Sequence, residues 1–173
     1  MIQNICHRTP GGAVYLPWMN DRQKEAELLR GTECALQKFG VPTHFKGYKY
    51  LVTAIMLVAD DPNCLKFKTM KLYRDVAAIH GETYQCVDKD IRTLIEKTFD
   101  NYDNSQLYDY FGDLIKERNG KATNTDFIRR IADDVRADVM SHSLDENRKR
   151  LLKELGLESE IPDQEQIYAA QVE

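Results

Sequence analysis

The sequence predicts an all-α protein: a compact six-helix domain containing a helix-turn-helix, with an extra charged helix at its C-terminal end. Three observations predict it. Apolar residues recur at three- and four-residue spacing through most of the chain. Gly, Pro and an Asn-Gly pair interrupt that pattern at intervals suited to helix ends. A small residue, a glycine and an aliphatic residue stand in the order Ala77, Gly81, Val87, the spacing of a helix-turn-helix. The 173 residues, 42% hydrophobic and 30% charged, are enough for one domain with a buried core.

Each element follows in order. Residues 1–20 mix Thr9-Pro10-Gly11-Gly12 with Tyr15, Pro17 and Trp18 without a sustained period and read as an irregular arm. From Asp21, Leu28, Leu29, Ala35, Leu36 and Phe39 form one stripe, which Gly40 and Pro42 end. Residues 48–59 are apolar almost all round, as in a helix surrounded by others, and Asp60-Asp61-Pro62 closes them. A short piece, 63–68, leads into 69–80, where Leu72, Val76, Ala77 and Ile79 share a face before Gly81. Thr83 can cap the next helix, which runs to about Phe99 with Val87, Ile91, Leu94 and Ile95 inward.

Beyond a polar turn at 100–105, residues 107–115 supply one or two short helices that Asn119-Gly120 ends. Thr123-Asn124-Thr125-Asp126 is similar to a capping box with Asp in place of Glu, and it starts the last core helix with Phe127, Ile128, Ile131, Ala132, Val135 and Val139. Ser143-Leu144-Asp145-Glu146 repeats a start signal for a charged helix to about Leu155, which Gly156 ends, and the composition beyond Glu158 is that of a disordered tail. The expected organisation is therefore an arm (1–20), a helical domain (21–140), and an acidic helix with a tail (141–173).

Composition also excludes. The longest apolar run, 51–59, is about half of the roughly 20 residues a membrane span needs. No basic stretch followed by an apolar one opens the chain, so a cytoplasmic location is expected. Cys6, Cys34, Cys64 and Cys86 are widely separated with no C-x-x-C pair, which predicts free thiols and no metal. No cofactor motif is present, and neither a nucleophile motif nor a glycine-rich phosphate loop joins the scattered His7, His44, His80 and His142. The chain therefore reads as no enzyme, with no small-molecule substrate.

A net charge of −4 is unusual for a protein that binds nucleic acid, but its distribution matters more than its sum. From residue 141 onward four Lys/Arg face eight Asp/Glu, so this stretch carries the whole excess, and residues 1–140 hold 20 of each sign.

A helix-turn-helix needs a small residue where its helices cross, a turn-tolerant residue four places on, and a buried apolar residue six places beyond that; Ala77, Gly81 and Val87 fit. With Val87, Ile91 and Leu94 inward, Gln85, Asp88, Lys89 and Arg92 lie on the outward face. Arg92 or Lys89 can donate to guanine O6 and N7, Gln85 can pair with adenine, and Asp88 can accept from cytosine N4. The same face is equally a solvated one with an i, i+4 ion pair between Asp88 and Arg92. His80 and Asp90 stand where many such motifs carry apolar residues. Either both lie at a solvated edge, or Asp90 pairs with Lys89 or Arg92.

At these residues the sequence resembles the C-terminal DNA-binding effector domain of the response regulator that initiates sporulation. Gly40-Val41-Pro42-Thr43-His44-Phe45-Lys46-Gly47-Tyr48-Lys49-Tyr50-Leu51 is similar to the family's G-V-P-x-H-x-K-G-Y-x-Y-L, and Leu72-Tyr73-Arg74-Asp75-Val76-Ala77 to L-Y-P-x-[IV]-A. Val87-Asp88-Lys89-Asp90-Ile91-Arg92 resembles V-E-R-x-I-R, and Lys121-Ala122-Thr123-Asn124-Thr125-Asp126-Phe127-Ile128 resembles K-P-T-N-[ST]-E-F-I. The blocks occur in order and span about 28–139.

The resemblance implies a six-helix domain that binds short boxes in double-stranded DNA, often as a tandem homodimer, and contacts the sigma subunit of RNA polymerase, at the nucleoid. By position it implies base reading by Asp88, Lys89 and Arg92, with Gln85 and Thr93 adjacent. Asp88 and Lys89 replace the family's Glu and Arg, and Lys lacks the planar fork of a bidentate reader. Cys86 stands where a basic residue is common. The arm before Asp21 is too short for a phosphoacceptor domain, so control by phosphorylation within this chain is not expected.

The rival reading is the same fold acting as a protein-binding adaptor or titrating regulator that has lost specific DNA binding, docking through Tyr102, Tyr108, Tyr110 and Phe111. Inward packing accounts for that cluster more simply. The Leu144, Leu151, Leu152 and Leu155 stripe suits a helix docking on its own domain or on a partner, and the first is the commoner arrangement.

Overall fold

The computed structural model describes residues 20–66, 69–100, 105–116 and 120–155. The N-terminal arm, Tyr102 and the acidic tail, for which irregular structure, inward packing and disorder are expected, lie outside them. Within the described residues the chain forms α1 (Asp21–Lys38), α2 (Gly47–Asp60), α3 (Asn63–Lys66), α4 (Thr69–His80), α5 (Tyr84–Phe99), α6 (Ser105–Lys116) and α7 (Asn124–Glu154).

Helix ends follow from local chemistry. Asn20 begins α1 with a reciprocal capping box: its side chain accepts from the Gln23 backbone N–H at 2.9 Å, and the Gln23 side chain accepts from Asn20 N–H at 3.2 Å. At the other end Gly40 takes φ +62°, and the Val41 N–H reaches the Leu36 carbonyl while the Gly40 N–H reaches that of Gln37. These are the two bonds of a Schellman stop, with Leu36 and Val41 both buried beside it. Asp61, extended ahead of Pro62, ends α2.

The helix read as apolar all round is the centre of the molecule. From Tyr50 to Ala59 every residue of α2 is buried, and α2 touches α1, α4, α5 and α7. Each Leu or Ile wholly buried there is worth about 1.5–3 kcal/mol relative to exposure. α7 packs against α1, α2 and α5 and buries Phe127, Ile128, Ile131, Ala132, Val135 and Val139. On α7, the Arg136 guanidinium donates to the Ala59 and Val58 carbonyls at 3.0 and 3.2 Å, satisfying two of the open carbonyls at the end of α2.

Two expectations are corrected. The charged C-terminal helix is the continuation of α7 and not a separate element. No Gly or Pro interrupts the hydrogen-bond ladder ahead of Ser143, which is itself buried, so the Ser-Leu-Asp-Glu start signal has no helix end at which to act. Most of the stripe on that extension does not dock on its own domain: Leu144, Leu151 and Leu155 are 55, 47 and 70% exposed, and Leu152 is half-buried. The 107–115 segment does divide into two short helical pieces, at Gly112 with φ +24°.

Of the aromatic cluster, Phe111 is buried and stacks on Phe127 at 5.1 Å. Tyr110 lies against Phe39, and its hydroxyl donates to Asp134 at 2.5 Å. Tyr108 meets the edge of Phe99 with its outer side in solvent.

Candidate nucleic-acid interface

α4 and α5 pack against each other, joined by a turn at Gly81. Ala77 is buried on α4, and Val87 is wholly buried on α5. Gly81 takes φ +67°, a backbone conformation costly for any residue with a β-carbon, and it lets the Glu82 N–H return to the Ala77 carbonyl at 2.9 Å. Thr83 then caps α5, its hydroxyl accepting from the Cys86 N–H at 3.3 Å.

Val87, Ile91, Leu94 and Ile95 are all buried, so the opposite face of α5 is fixed outward. Gln85, Lys89 and Arg92 are exposed on it, at i, i+4 and i+7, with Asp88 half-buried at i+3. Thr93 is half-buried at the edge of this face. Among the described residues no ion pair engages Lys89. The structure thus brings Gln85, Asp88, Lys89 and Arg92 onto one stripe, with Thr93 beside it.

Arg92 Nη2 does meet Asp88 Oδ2, at 2.9 Å. The Arg92 side chain is 61% exposed in this pair. Exposed i, i+4 pairs contribute about 0.3–0.5 kcal/mol, whereas a bidentate contact to a guanine edge discriminates by about 1–3 kcal/mol. The pair orients the guanidinium without being strong enough to withhold it.

His80 does not lie at a solvated edge, and Asp90 does not pair with Arg92. His80 Nε2 lies 2.8 Å from the Thr53 hydroxyl and its ring meets Tyr50 edge-on, so it packs on α2 instead of lying at a solvated edge. Burial holds its pKa below the usual imidazole range, helped by the nearby Lys49 charge and opposed by Glu82. Asp90 is half-buried and Arg92 pairs with Asp88 in its place; the Asp90 carbonyl faces Gly47 of α2. Lys46, just ahead of α2, pairs with Glu82 in the turn at 2.6 Å. The segment with Lys46, Gly47 and Thr53 therefore holds the turn from behind.

Three further residues bear on the face and were not legible in the sequence. Asn124, at the start of α7, is buried and donates to the backbone carbonyl and to Oδ1 of Asp88, at 3.2 and 3.0 Å. In the sequence Asn124 stands in a helix start and in the family-like block 121–128, and no local pattern links it to a residue 36 positions away. Arg74 on α4 is exposed, its guanidinium 5.7 Å from the Tyr84 ring centre, which puts a cation beside the first turn of α5. Lys121 pairs with Asp100 at 2.6 Å. An open groove of about 400 Å³ runs between α5 and the start of α7, lined among others by Tyr73, Asp88, Arg92, Lys121 and Asn124.

Among the described residues no group of three or more His, Cys, Asp or Glu is placed to hold a metal ion, and Cys34 and Cys86 are exposed free thiols. No helix there is long and apolar enough to cross a membrane.

The family model described as Sporulation initiation factor Spo0A C terminal matches residues 32–135, which include the whole helix-turn-helix, every residue of its outward face, and Asn124. That match extends over more than half of the chain, and with the fold and the turn geometry in agreement, the protein belongs to the family of Spo0A C-terminal domains, the DNA-binding domains of a sporulation transcription regulator.

Proposed function

We propose that this protein is a sequence-specific regulator of transcription whose α5, with its Thr83 cap, lies in the major groove of double-stranded DNA. The observation that carries the reading is the sidedness of α5. Four buried aliphatic residues fix its inner face, and Gln85, Asp88, Lys89 and Arg92 fill its outer face with donors and acceptors suited to base edges. Arg92 reads guanine, Gln85 adenine, and Asp88 accepts from cytosine N4. Lys89 donates as a point charge, and Thr93 supports it from the edge of the face. Arg74, exposed at the front of α4, is placed to meet a phosphate. Family membership supports two finer features as well: binding as a homodimer on tandem boxes, and contact with the sigma subunit of RNA polymerase at the nucleoid.

The test is fluorescence anisotropy on two probes: a duplex enriched from a random-sequence pool by the wild-type chain, and the unselected pool. Salt-sensitive preference for the enriched duplex is expected, reduced by about 1–3 kcal/mol in Arg92→Ala with little change on the pool. Failure of a folded chain to enrich any duplex overturns the reading. It would favour the protein-binding adaptor, for which the exposed Leu144, Leu151 and Leu155 on α7 are the supporting observation.

A further inference from the structure

Asp88 is held from two sides. Its Oδ2 meets Arg92 on the same helix, while its Oδ1 and its backbone carbonyl both accept from the side-chain amide of Asn124, at the first position of α7. Asn124 is itself buried, with 9% of its surface exposed, so its amide has no alternative solvent partner of equal access. Thr123, and not Asn124, caps α7, its hydroxyl accepting from the Asp126 N–H at 3.1 Å. The helix start therefore does not require the Asn124 side chain.

An Asp or Arg free to rotate must give up conformational freedom when it docks on a base, and that loss subtracts from discrimination. An Asp whose carboxylate plane is fixed beforehand gives up less. One carboxylate accepts at about four lone-pair sites, so bonds to Asn124 and Arg92 leave acceptor positions for a cytosine amine. Tyr73 of α4 lines the same groove as Asp88, Arg92, Asn124 and Thr125, so α4, α5 and the start of α7 meet at this place.

We infer that Asn124 is a positioning residue for base selection: by clamping Asp88 it sets the orientation of the Asp88–Arg92 pair on α5 before DNA arrives, and so determines how sharply the helix distinguishes one sequence from another. The inference rests on the base-reading role proposed for α5. It assigns Asn124 no contact with DNA of its own.

The experiment uses the full chain, the enriched duplex and the unselected pool, with wild type, Asn124→Ala, Asp88→Ala and the double variant. Asn124→Ala is expected to lower the ratio of the two affinities by about fivefold or more, as for residues coupled in one hydrogen-bond network, while affinity for the pool and its salt dependence stay unchanged. In the Asp88→Ala background the same substitution is expected to add nothing. Equal weakening on both probes, or an equal loss with and without Asp88, overturns the inference, because a role in folding alone acts on every duplex and ignores Asp88. If Asp88→Ala and Arg92→Ala both leave the ratio intact, the base-reading role itself falls. Should Asn124→Ala not fold, Asn124→Ser keeps a residue suited to a helix start and shortens the donor, and the same two comparisons decide.

Discussion

The first residue of α2, Gly47, lies directly against the carbonyl of Asp90 on α5: a β-carbon at Gly47 would stand 2.7 Å from the Asp90 carbonyl carbon and overlap its oxygen. This contact, backbone on backbone, is what sets the distance between the central helix and α5. Gly47→Ala must move one of the two helices, since neither neighbour is the end of a flexible side chain. We expect a cost of about 1–3 kcal/mol, measured as a lowered urea midpoint with an unchanged slope. A shift of α5 should also reduce discrimination between duplexes in the anisotropy assay.

The crossing of α4 and α5 tests the same geometry from the other side. Ala77 is buried on α4, which packs on α5, and Ala77→Leu should part the helices at a cost of about 1–3 kcal/mol. Ala77→Gly is the control: it costs about 0.5–1 kcal/mol through backbone entropy but leaves the approach intact. Loss of duplex discrimination in the leucine variant, and its retention in the glycine variant, is the expected pair of results. Discrimination surviving in both would mean that the crossing does not set the reading face.

Most of this architecture was legible because it is written locally. The buried stripe of α5, the Gly40 and Gly81 stops and the Thr83 cap each depend on residues within a turn or two of one another, and periodicity and turn chemistry report such neighbours directly. The α2 segment read as central because it is apolar on all sides. Long-range pairings left no such trace. His80 appeared as a misfit in its own helix because its partners, Thr53 and Tyr50, lie on another. Asn124 reads as a helix start until the fold sets it against Asp88. The Ser143 start signal misled for the converse reason: it is a sound local cue inside a helix that nothing nearby ends.

Arg136 joins α7 to the end of α2 through two backbone carbonyls. Its partial burial pushes the guanidinium pKa down, so the charge is tolerated there for its hydrogen bonds and not for its solvation. Arg136→Met keeps the length of the stem and leaves the Ala59 and Val58 carbonyls unpaired. The expected loss is about 1.5–3 kcal/mol, the range for hydrogen bonds from a charged donor, read from chemical denaturation. Arg136→Lys, a single point donor without the fork, should recover only part of it. Full recovery by Lys would mean that charge alone matters at this site.

The last prediction concerns pH. The Thr53 hydroxyl donates to the Lys49 carbonyl at 3.0 Å, and a hydroxyl has one proton, so the 2.8 Å contact with His80 is satisfied by an N–H on Nε2 of the imidazole. Burial, reinforced by Lys49 and opposed by Glu82, depresses the His80 pKa in the folded protein. Above the unfolded value of about 6.5 both states are neutral, and His80 contributes no pH dependence. As pH falls below that value the unfolded chain takes up the proton first, so stability declines until the folded pKa is passed and then levels off. His80→Gln keeps a polar group near Thr53 but cannot titrate. Its destabilisation relative to wild type, measured by urea unfolding, should therefore be largest near about pH 8 and should shrink toward about pH 5. A gap that stays constant over this range, or widens toward acid, would mean that the folded protein accommodates the imidazolium as readily as the unfolded chain does.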